Sequence, residues 1–580
     1  MNCFTFSNLI YYKPHHENKG REILKVIGID SETYIDGKPF MFCTSLKDCF
    51  TLKDIPEIFF TREYRDCHFV VYNLKFDSGS ILYNLPIEFL NELRVNGSII
   101  YRDVRYQYIA HKRLRITRNN HGVTFWNVAQ FYKCSLQKAS EKYLHKHKKE
   151  LETKSFTREY VKNHFERIKE YCIQDSVLTA ELYYYLLEGL KTINVIPTAL
   201  YSTASLSYQY FRKNTKIEDV WELWCKHRYL LKLASWSYSG GKFEIYKRGK
   251  TYGYMYDINS AYPFEMSKLK SIENAKLKCT SKYLKDYDYG FMTCYIDNTV
   301  SIDTPVAIRH GYLNIYPAGK YYASITKQEY EYLISNGVNI TIKSAFWIKC
   351  KREHYPYKNI VHDLFSKKNY YKGKDYRLYN LYKIMLNSFY GKMAQTIAKP
   401  DGTIIAGNCW NPIYASIITA NTRIRLCELS NKYHKHLVSV HTDSIILEKE
   451  LPKNMLSDDL GAWQHVKSGD VYNVACGVYQ IADKSAFRGF VLDKGIDLKS
   501  VLSRAKENTS VMLKSLEVKS WIECAFRNKR HLTNRFITEE KELNFNQDRK
   551  RHWPKDVTGQ DLLTTLQKST PLITMQSYKK

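Results

Sequence analysis

Residues 380–393 read NLYKIMLNSFYGKM, and their spacing decides how the rest of the chain is read. Lys383, Asn387 and Tyr390 fall at i, i+4 and i+7, one stripe of a helix, while Ile384, Met385 and Phe389 lie away from it. A core stripe would not put a lysine and an amide on one face. The stripe suits a ligand with both phosphates and a flat ring. Lys383 can neutralise phosphates and support a departing pyrophosphate, Tyr390 can pack on a base, and Gly391 permits close approach. The stretch 351–392 is helical in pattern and very basic, with Lys351, Arg352, Lys358, Lys367, Lys368, Lys372, Lys374, Arg377, Lys383 and Lys392 interleaved with Tyr and Phe. A basic, aromatic-studded helical hairpin suits phosphates and bases.

Two carboxylates flank this hairpin in sequence. In YGYMYDINSAYPFEM (252–266) a Tyr-rich strand delivers Asp257, followed by Ser260, Tyr262 and Pro263, and the turn after it can aim backbone amides at a triphosphate. In HLVSVHTDSIILEKE (436–450) two apolar runs surround a tight polar turn, a β-hairpin with Asp443 at its tip. Asp257 and Asp443 together could clamp two metal ions for an in-line displacement at phosphorus.

The first third of the chain holds a second acidic set. VIGIDSETY (26–34) puts Asp30 and Glu32 on one side of a strand. YNLKFDSGS (72–80) places Asp77 after another β run, with Asn73 and Phe76 before it. YCIQD (171–175) puts Tyr171 and Asp175 on one face of a helix. Four carboxylates from such elements could hold two Mg²⁺ and hydrolyse a phosphodiester, with Tyr171 orienting water and Phe76 and Asn73 holding a frayed strand end.

Composition sets the outer limits. A chain of 580 residues exceeds one core, so several lobes are expected, and the lack of a Pro- or Gly/Ser-rich linker predicts that they pack closely. With 88 Lys and Arg against 59 Asp and Glu, the net charge is +29, which suits a polyanionic partner. No run approaches the ~18 apolar residues of a membrane span. With no secretory or organelle signal at the N-terminus, a cytoplasmic monomer is expected. The 14 cysteines include no Cys-x-x-Cys pair, which argues against a zinc ribbon and predicts reduced thiols.

In order and spacing these motifs resemble those of family B DNA polymerases, and nearly the whole chain takes part in the resemblance. Lys-x-x-x-Asn-Ser-x-Tyr-Gly is the family's motif B, a pattern that family A polymerases and reverse transcriptases do not carry. Asp-x-x-Ser-x-Tyr-Pro is motif A, and the Asp443 hairpin is motif C. The resemblance implies an RNase H-like 3′→5′ exonuclease domain, then a right-hand polymerase with palm insertions, an α/β and α+β multidomain fold. It implies Mg²⁺, two per site, with Mn²⁺ as a substitute, and DNA template, primer and deoxynucleotides as partners. It puts Tyr262 beneath the incoming sugar, where its ring excludes a 2′-hydroxyl, adds Lys372 and Lys374 to Ser260, Lys383, Asn387, Tyr390 and Gly391 at the nucleotide, and gives Ser135 and Leu136 of FYKCSL to single-stranded DNA. It makes Lys149 of HKHKKE the lysine that assists cleavage, with Lys146 and Lys148 as equal alternatives.

The branch most resembled is the protein-primed one of small phages, linear plasmids and some viruses, which implies a terminal-protein primer. SYSGGKFEIY (237–246) matches its Tyr-x-Gly-Gly motif with Tyr238, Gly240 and Gly241. The implied division is exonuclease 1–198, first palm part 199–268, terminal-protein-contacting insertion 269–350, fingers 351–392, short hairpin 393–411, second palm part 412–499 and thumb 500–580. Three departures stand out. Ser439 and His441 replace the Tyr and first Asp of motif C, and the His could titrate near neutrality. Gly477 replaces the Lys of the Lys-x-Tyr primer motif, leaving Tyr479 with Arg488 or Lys494. The hairpin around KPDGTII (399–405) is short, so reduced strand displacement is expected. A polymerase that extends ordinary nucleic-acid primers is the alternative. A non-enzymatic DNA-binding scaffold is the other, and retention of all six carboxylates argues against it.

Overall fold

The computed structural model describes residues 6–14, 20–149, 151, 156–311, 313–351, 353–490 and 495–575. Arg352 and Lys494 lie outside them. An eight-stranded sheet organises the first third. Its centre is Ile27–Thr33, parallel to His68–Val71, which is parallel to His121–Asn127, with antiparallel hairpins on both flanks. Helix Phe165–Thr192 lies across this sheet because Ile168, Cys172, Leu178, Leu182 and Leu186 recur at helical spacing on its buried side. The approach depends on Gly28, where a Cβ would stand 1.9 Å from the Ser176 carbonyl oxygen. A strand that carries Asp30 and Glu32 thus comes against the helix that carries Asp175.

A second sheet occupies the centre of the molecule, in the order Lys242–Ile245, Leu437–Thr442, Ser444–Leu447, Lys247–Ile258, Trp463–Ala475, Val478–Ile481 and Lys484–Phe487. Over it stand two antiparallel helices, Lys358–Tyr371 and Tyr376–Ser388. The second is started by Asp375, whose side chain accepts from the Leu378 amide at 3.0 Å. Residues between the first acidic motif of this sheet and the helical pair form a separate five-stranded sheet built on Tyr289–Asn298, Ala318–Thr326 and Asn339–Lys349. The KPDGTII segment is a hairpin of two three-residue strands, Thr396–Ala398 and Ile404–Ala406, and Leu9–Ile10 adds to it in parallel.

The C-terminal part does not form a body of its own, as a thumb spanning 500–580 would. It opens as a long ribbon, Ser510–Val518 with Phe536–Asn544, but Leu566–Lys568 then joins the central sheet and Ile573–Met575 the five-stranded one. The largest apolar core crosses the lobes, linking Leu178 and Leu186 of the long helix to Phe211, Tyr262, Leu381, Phe389 and Trp410. Lobes sharing one core pack closely, as the missing linker led one to expect. The cysteine expectation is corrected at one place: Cys43 and Cys49 face each other across adjacent antiparallel strands and are joined as a disulfide. Their juxtaposition follows from strand register, which the spacing of Cys along the chain does not reveal. Among the described residues no helix is long and apolar enough to cross a membrane.

Candidate active sites

The hairpin 437–447 runs antiparallel to Lys247–Ile258 in a register that sets Asp257 opposite Ser444, and the Ile258 amide donates to the Asp443 carbonyl at 3.0 Å. Both carboxylates therefore enter one cavity of about 660 Å³, which Ser260, Tyr262, Lys372, Lys383, Asn387 and Tyr390 also line. Burial, with Asp443 beside it, pushes the Asp257 carboxyl up to about 7. Burial alone lifts Asp443 to about 6. Two acids so destabilised as anions are a hard-oxygen pair in need of a cation, a donor set that fits Mg²⁺.

The walls of this cavity are built from the motif residues and a few others. Tyr262 and Tyr390 stack with centroids 4.2 Å apart. Gly241 lets the loop that contains Tyr238 meet the floor, since a Cβ there would lie 2.6 Å from Thr442 Cγ2 and 2.8 Å from the Tyr262 hydroxyl. Gly240 and Gly391 have open space where a Cβ would be. Tyr238 remains 38% exposed. Lys374 turns away from the cavity, its ammonium 3.9 Å above the Tyr370 ring.

Sequence reasoning missed several wall residues, among them Asp458, Gln464, Tyr379 and Lys368, the last being one of many in the basic run. It is 8% exposed, and its ammonium lies 3.3 Å from Asn259 Oδ1 and 3.4 Å from Ser260 Oγ. Burial first, then Lys383 and Lys372, lower it to about 8. Three lysines converging on a cavity that also holds Asp257, Asp443 and Asp458 suit a polyphosphate bound with metal. Arg423 was also missed. This buried guanidinium grips the Ser239 and Gly240 carbonyls at 2.5 and 2.9 Å and Glu329 at 2.8 Å, fixing the glycine loop against helix Lys327–Ser335.

His441 corrects an expectation. Its Nε2 lies 2.8 Å from Ser439 Oγ, and its ring packs on Phe243 and Tyr479 at 5.0 and 4.5 Å. Burial drops it to about 3, so it stays neutral across the physiological range instead of titrating there. The two departures in motif C thus pair with each other and with Tyr479. Gly477 has φ +85°, and a Cβ there would strike Arg488 Cβ at 2.6 Å. Arg488 lies across that turn, its backbone amide donating to the Gly477 carbonyl at 2.9 Å.

The N-terminal sheet assembles the other acidic set. Asp30 and Glu32 lie in Ile27–Thr33, Asp77 in the first turn of helix Leu74–Ile81 and Asp175 in Phe165–Thr192. Burial raises Asp30 well above the usual carboxylate range, with Asp77, Asp175 and Glu32 adding to it. Burial and then Asp175 push Glu32 to about 8, and burial pushes Asp77 to about 7 against hydrogen bonds from Ser31. Asp175 is raised by burial despite Lys148, and its Oδ1 is buried without a partner. Ligand atoms of Asp30, Glu32 and Cys172 lie within 4.8 Å of one another, and the thiol was not foreseen. The oxygen donors fit a pair of divalent ions.

Around this cluster the structure selects among the other candidates. Lys148 bonds Asp175 and sits 4.4 Å over the Tyr171 ring. Lys149, the residue singled out above, instead pairs with exposed Glu170 at 2.8 Å, and Lys146 pairs with Glu181 at 2.6 Å. The path of the loop decides which lysine turns inward. Asn73 is exposed and Phe76 half-buried beside the carboxylates. Ser135 is exposed and caps a short helix through the Lys138 amide at 3.3 Å, whereas Leu136 is core, which corrects its assignment to a DNA surface.

Two carboxylates on a central antiparallel sheet, a lysine-lined cavity above them and a separate acidic cluster in the N-terminal lobe are an arrangement suited to metal-assisted nucleotidyl transfer. Residues 150–408 match the family of DNA polymerases type B, organellar and viral. The DNA polymerase of Acidianus bottle-shaped virus is 25% identical over 498 residues, covering 75% of this chain and 73% of that one. A probable DNA polymerase of Ascobolus immersus is 25% identical over 346 residues, covering 51% of this chain and 28% of that one. Among solved structures, phi29 DNA polymerase with primer-template DNA and incoming nucleotide superposes with a TM-score of 0.62 over 90% of this chain and 100% of that one, at 14% identity. Its complex with single-stranded DNA gives the same values, and at that identity the likeness speaks for the fold. By these matches the chain is similar to DNA polymerases of type B, organellar and viral, over its middle part, and to a viral DNA polymerase over three quarters of its length.

Proposed function

We propose that the chain is a DNA-directed DNA polymerase of family B that starts synthesis from a protein primer and proofreads with a 3′→5′ exonuclease in its N-terminal lobe. The observation that carries proofreading is the cluster of half-buried Asp30 with buried Glu32, Asp77 and Asp175, four acids whose charges are tolerable together only with a cation. Priming by protein is supported by the separate sheet between the Asp257 strand and the helical pair, tied through Arg423 and Glu329 to the loop of Tyr238, Gly240 and Gly241.

At the polymerase site Asp257 and Asp443 would hold Mg²⁺, which supplies charge neutralisation at the α-phosphate and activation of the primer oxygen. Lys383, Lys372 and Lys368 bind the triphosphate and stabilise charge on the departing pyrophosphate. Tyr390 and Asn387 face the base pair, and Tyr262, stacked beneath Tyr390, closes the space a 2′-hydroxyl would need. Arg488 supports the primer strand, and Tyr479, buried against His441, backs the hairpin of Asp443. In the N-terminal site Asp30, Glu32, Asp77 and Asp175 would hold the ions, Tyr171 orients water, Lys148 faces the leaving oxygen, and Asn73 and Phe76 hold the strand end.

Protein priming is tested by supplying labelled deoxynucleotide to the polymerase in extract from cells replicating its genome. Label is expected on a polypeptide, resistant to nuclease and released by protease. Label found only on nucleic-acid 3′ ends would favour the alternative of ordinary primers. On a primed template with a downstream strand, synthesis is expected to arrest at the block, because two three-residue strands are a small wedge.

Metal dependence gives a signed prediction. Asp257, Asp77 and Glu32 have folded pKa values of about 7, 7 and 8, above those of the unfolded chain, so protonation favours the folded state. Their contribution is full below about pH 4 and is lost as pH climbs through 7 to 8. Divalent ion replaces the lost protons, so Mg²⁺ should raise the melting temperature more at pH 8 than at pH 6, measured against EDTA. Equal shifts at both pH values would refute acid clusters built to hold cations.

A further inference from the structure

The C-terminal ribbon carries at its tip a 519–535 segment that folds against the N-terminal sheet. Trp521 and Ala525 of that segment are members of the N-terminal lobe's own apolar core. The Trp521 indole donates to Ser78 Oγ at 3.0 Å, and the Arg530 guanidinium donates to the Tyr83 carbonyl. Two glycines of the N-terminal lobe make room for the segment. A Cβ at Gly37 would lie 2.0 Å from the Thr533 carbonyl oxygen, and one at Gly79 would lie 2.5 Å from Asn534 Oδ1.

Asn534, 1% exposed, donates from Nδ2 to Ser80 Oγ at 2.9 Å. Ser80 Oγ is 3.0 Å from Ser31 Oγ, and Ser31 Oγ is 2.8 Å from Asp77 Oδ1. Proton counting gives this chain a direction. Ser31 has a single hydroxyl proton, and it donates this proton's hydrogen bond to Asp77, which as the ionised, metal-holding carboxylate can only accept. The contact between the serines is then made by the Ser80 proton, which leaves the Ser80 oxygen to accept from the Asn534 amide. Three dipoles line up toward one carboxylate in a buried setting, where each bond polarises the next.

We infer that Asn534, on the ribbon tip, is a positioning residue for the N-terminal acidic site, holding Asp77 through Ser80 and Ser31. The inference rests on the exonuclease reading proposed above. It ties the ribbon that follows the polymerase sheet to the geometry of the hydrolytic site, through hydrogen bonds and a shared core. Outer partners that orient a metal-holding carboxylate are worth roughly 10- to 100-fold in metal affinity or activity.

Asn534 has φ 60°, a left-handed conformation that glycine adopts without strain, so Asn534→Gly removes the amide and keeps the turn. Single-turnover degradation of a labelled single strand by the full chain should slow about tenfold, with the half-saturating Mg²⁺ concentration raised and primer extension unchanged. Added to Ser80→Ala, Asn534→Gly should cost nothing further, because the relay is already broken. Arg530→Ala, which loosens the same docking without touching the relay, should leave the Mg²⁺ dependence as it is. Additive losses from Asn534→Gly and Ser80→Ala, or an equal Mg²⁺ shift from Arg530→Ala, would reduce Asn534 to a docking contact and overturn the inference. Degradation by the unmodified chain that Asp175→Ala abolishes tests the exonuclease reading by itself. If no such degradation exists, that reading fails and the inference falls with it.

Discussion

Asp443→Asn should slow primer extension by roughly three orders of magnitude or more, since a metal clamp supplies several kcal/mol and each 1.4 kcal/mol is tenfold. The hairpin tip holds Asp443 as its one carboxylate, because the neighbouring position that is acidic in related polymerases is His441, neutral and committed to Ser439. The amide keeps the size of the side chain and removes its charge. Degradation by the proposed exonuclease in the same variant should continue at the unmodified rate, as its carboxylates stand on a strand and two helices of the N-terminal lobe, and this excludes misfolding as the cause. Steady-state incorporation with Mg²⁺ measures the effect. Extension within tenfold of the parent would show that Asp443 is not a metal-holding group and would remove the assignment of the central cavity.

The second large effect concerns Lys148. Lys148→Ala should reduce degradation of single-stranded DNA about 100-fold, the usual loss for a charged donor aimed at a developing oxyanion. It is the one lysine of its run that reaches Asp175, and it also covers the Tyr171 ring. Without it, the cluster of Asp30, Glu32, Asp77 and Asp175 loses the cation that offsets it in the absence of metal. Lys149→Ala should stay within about twofold, since its pair with Glu170 is exposed and screened. Single-turnover degradation by the two variants, with extension as the folding control, separates them. A large loss from Lys149→Ala with Lys148→Ala unaffected would show that the loop adopts another path when DNA is bound.

Arrangement within an element was legible in the chain. The i, i+4, i+7 spacing predicted that Lys383, Asn387 and Tyr390 share a face, and all three line one cavity, although the helix ends at Ser388 and Tyr390 begins a tighter turn. The period-2 spacing of Asp30 and Glu32 and the four-residue spacing of Tyr171 and Asp175 worked in the same way. Such inferences hold because strand and helix periods are properties of the backbone and do not depend on what packs against it.

Choices among equivalent residues were not legible. Nothing in HKHKKE separates Lys148 from Lys149, and nothing in the basic run separates Lys368, turned into the cavity, from Lys374, turned out. Rotation of a loop or helix about its own axis is set by what it packs on, and that packing comes from distant segments. The same holds for His441, whose neutrality depends on Ser439, Phe243 and Tyr479, and for Arg488, which lies over Gly477 only because two strands turn there.

By itself, then, the sequence determined the resemblance to type B polymerases, the order of the two acidic sets and the six carboxylates in them, because each carboxylate sits in a short motif whose geometry is local. Tertiary structure alone decided the supporting cast: Lys148 over Lys149, Lys368 in the nucleotide cavity, Arg423 behind the glycine loop, and Asn534 reaching Asp77 across more than 400 positions of sequence. Hydrogen bonds and charges act over a few ångströms of space, and only the folded chain sets which distant residues come that close.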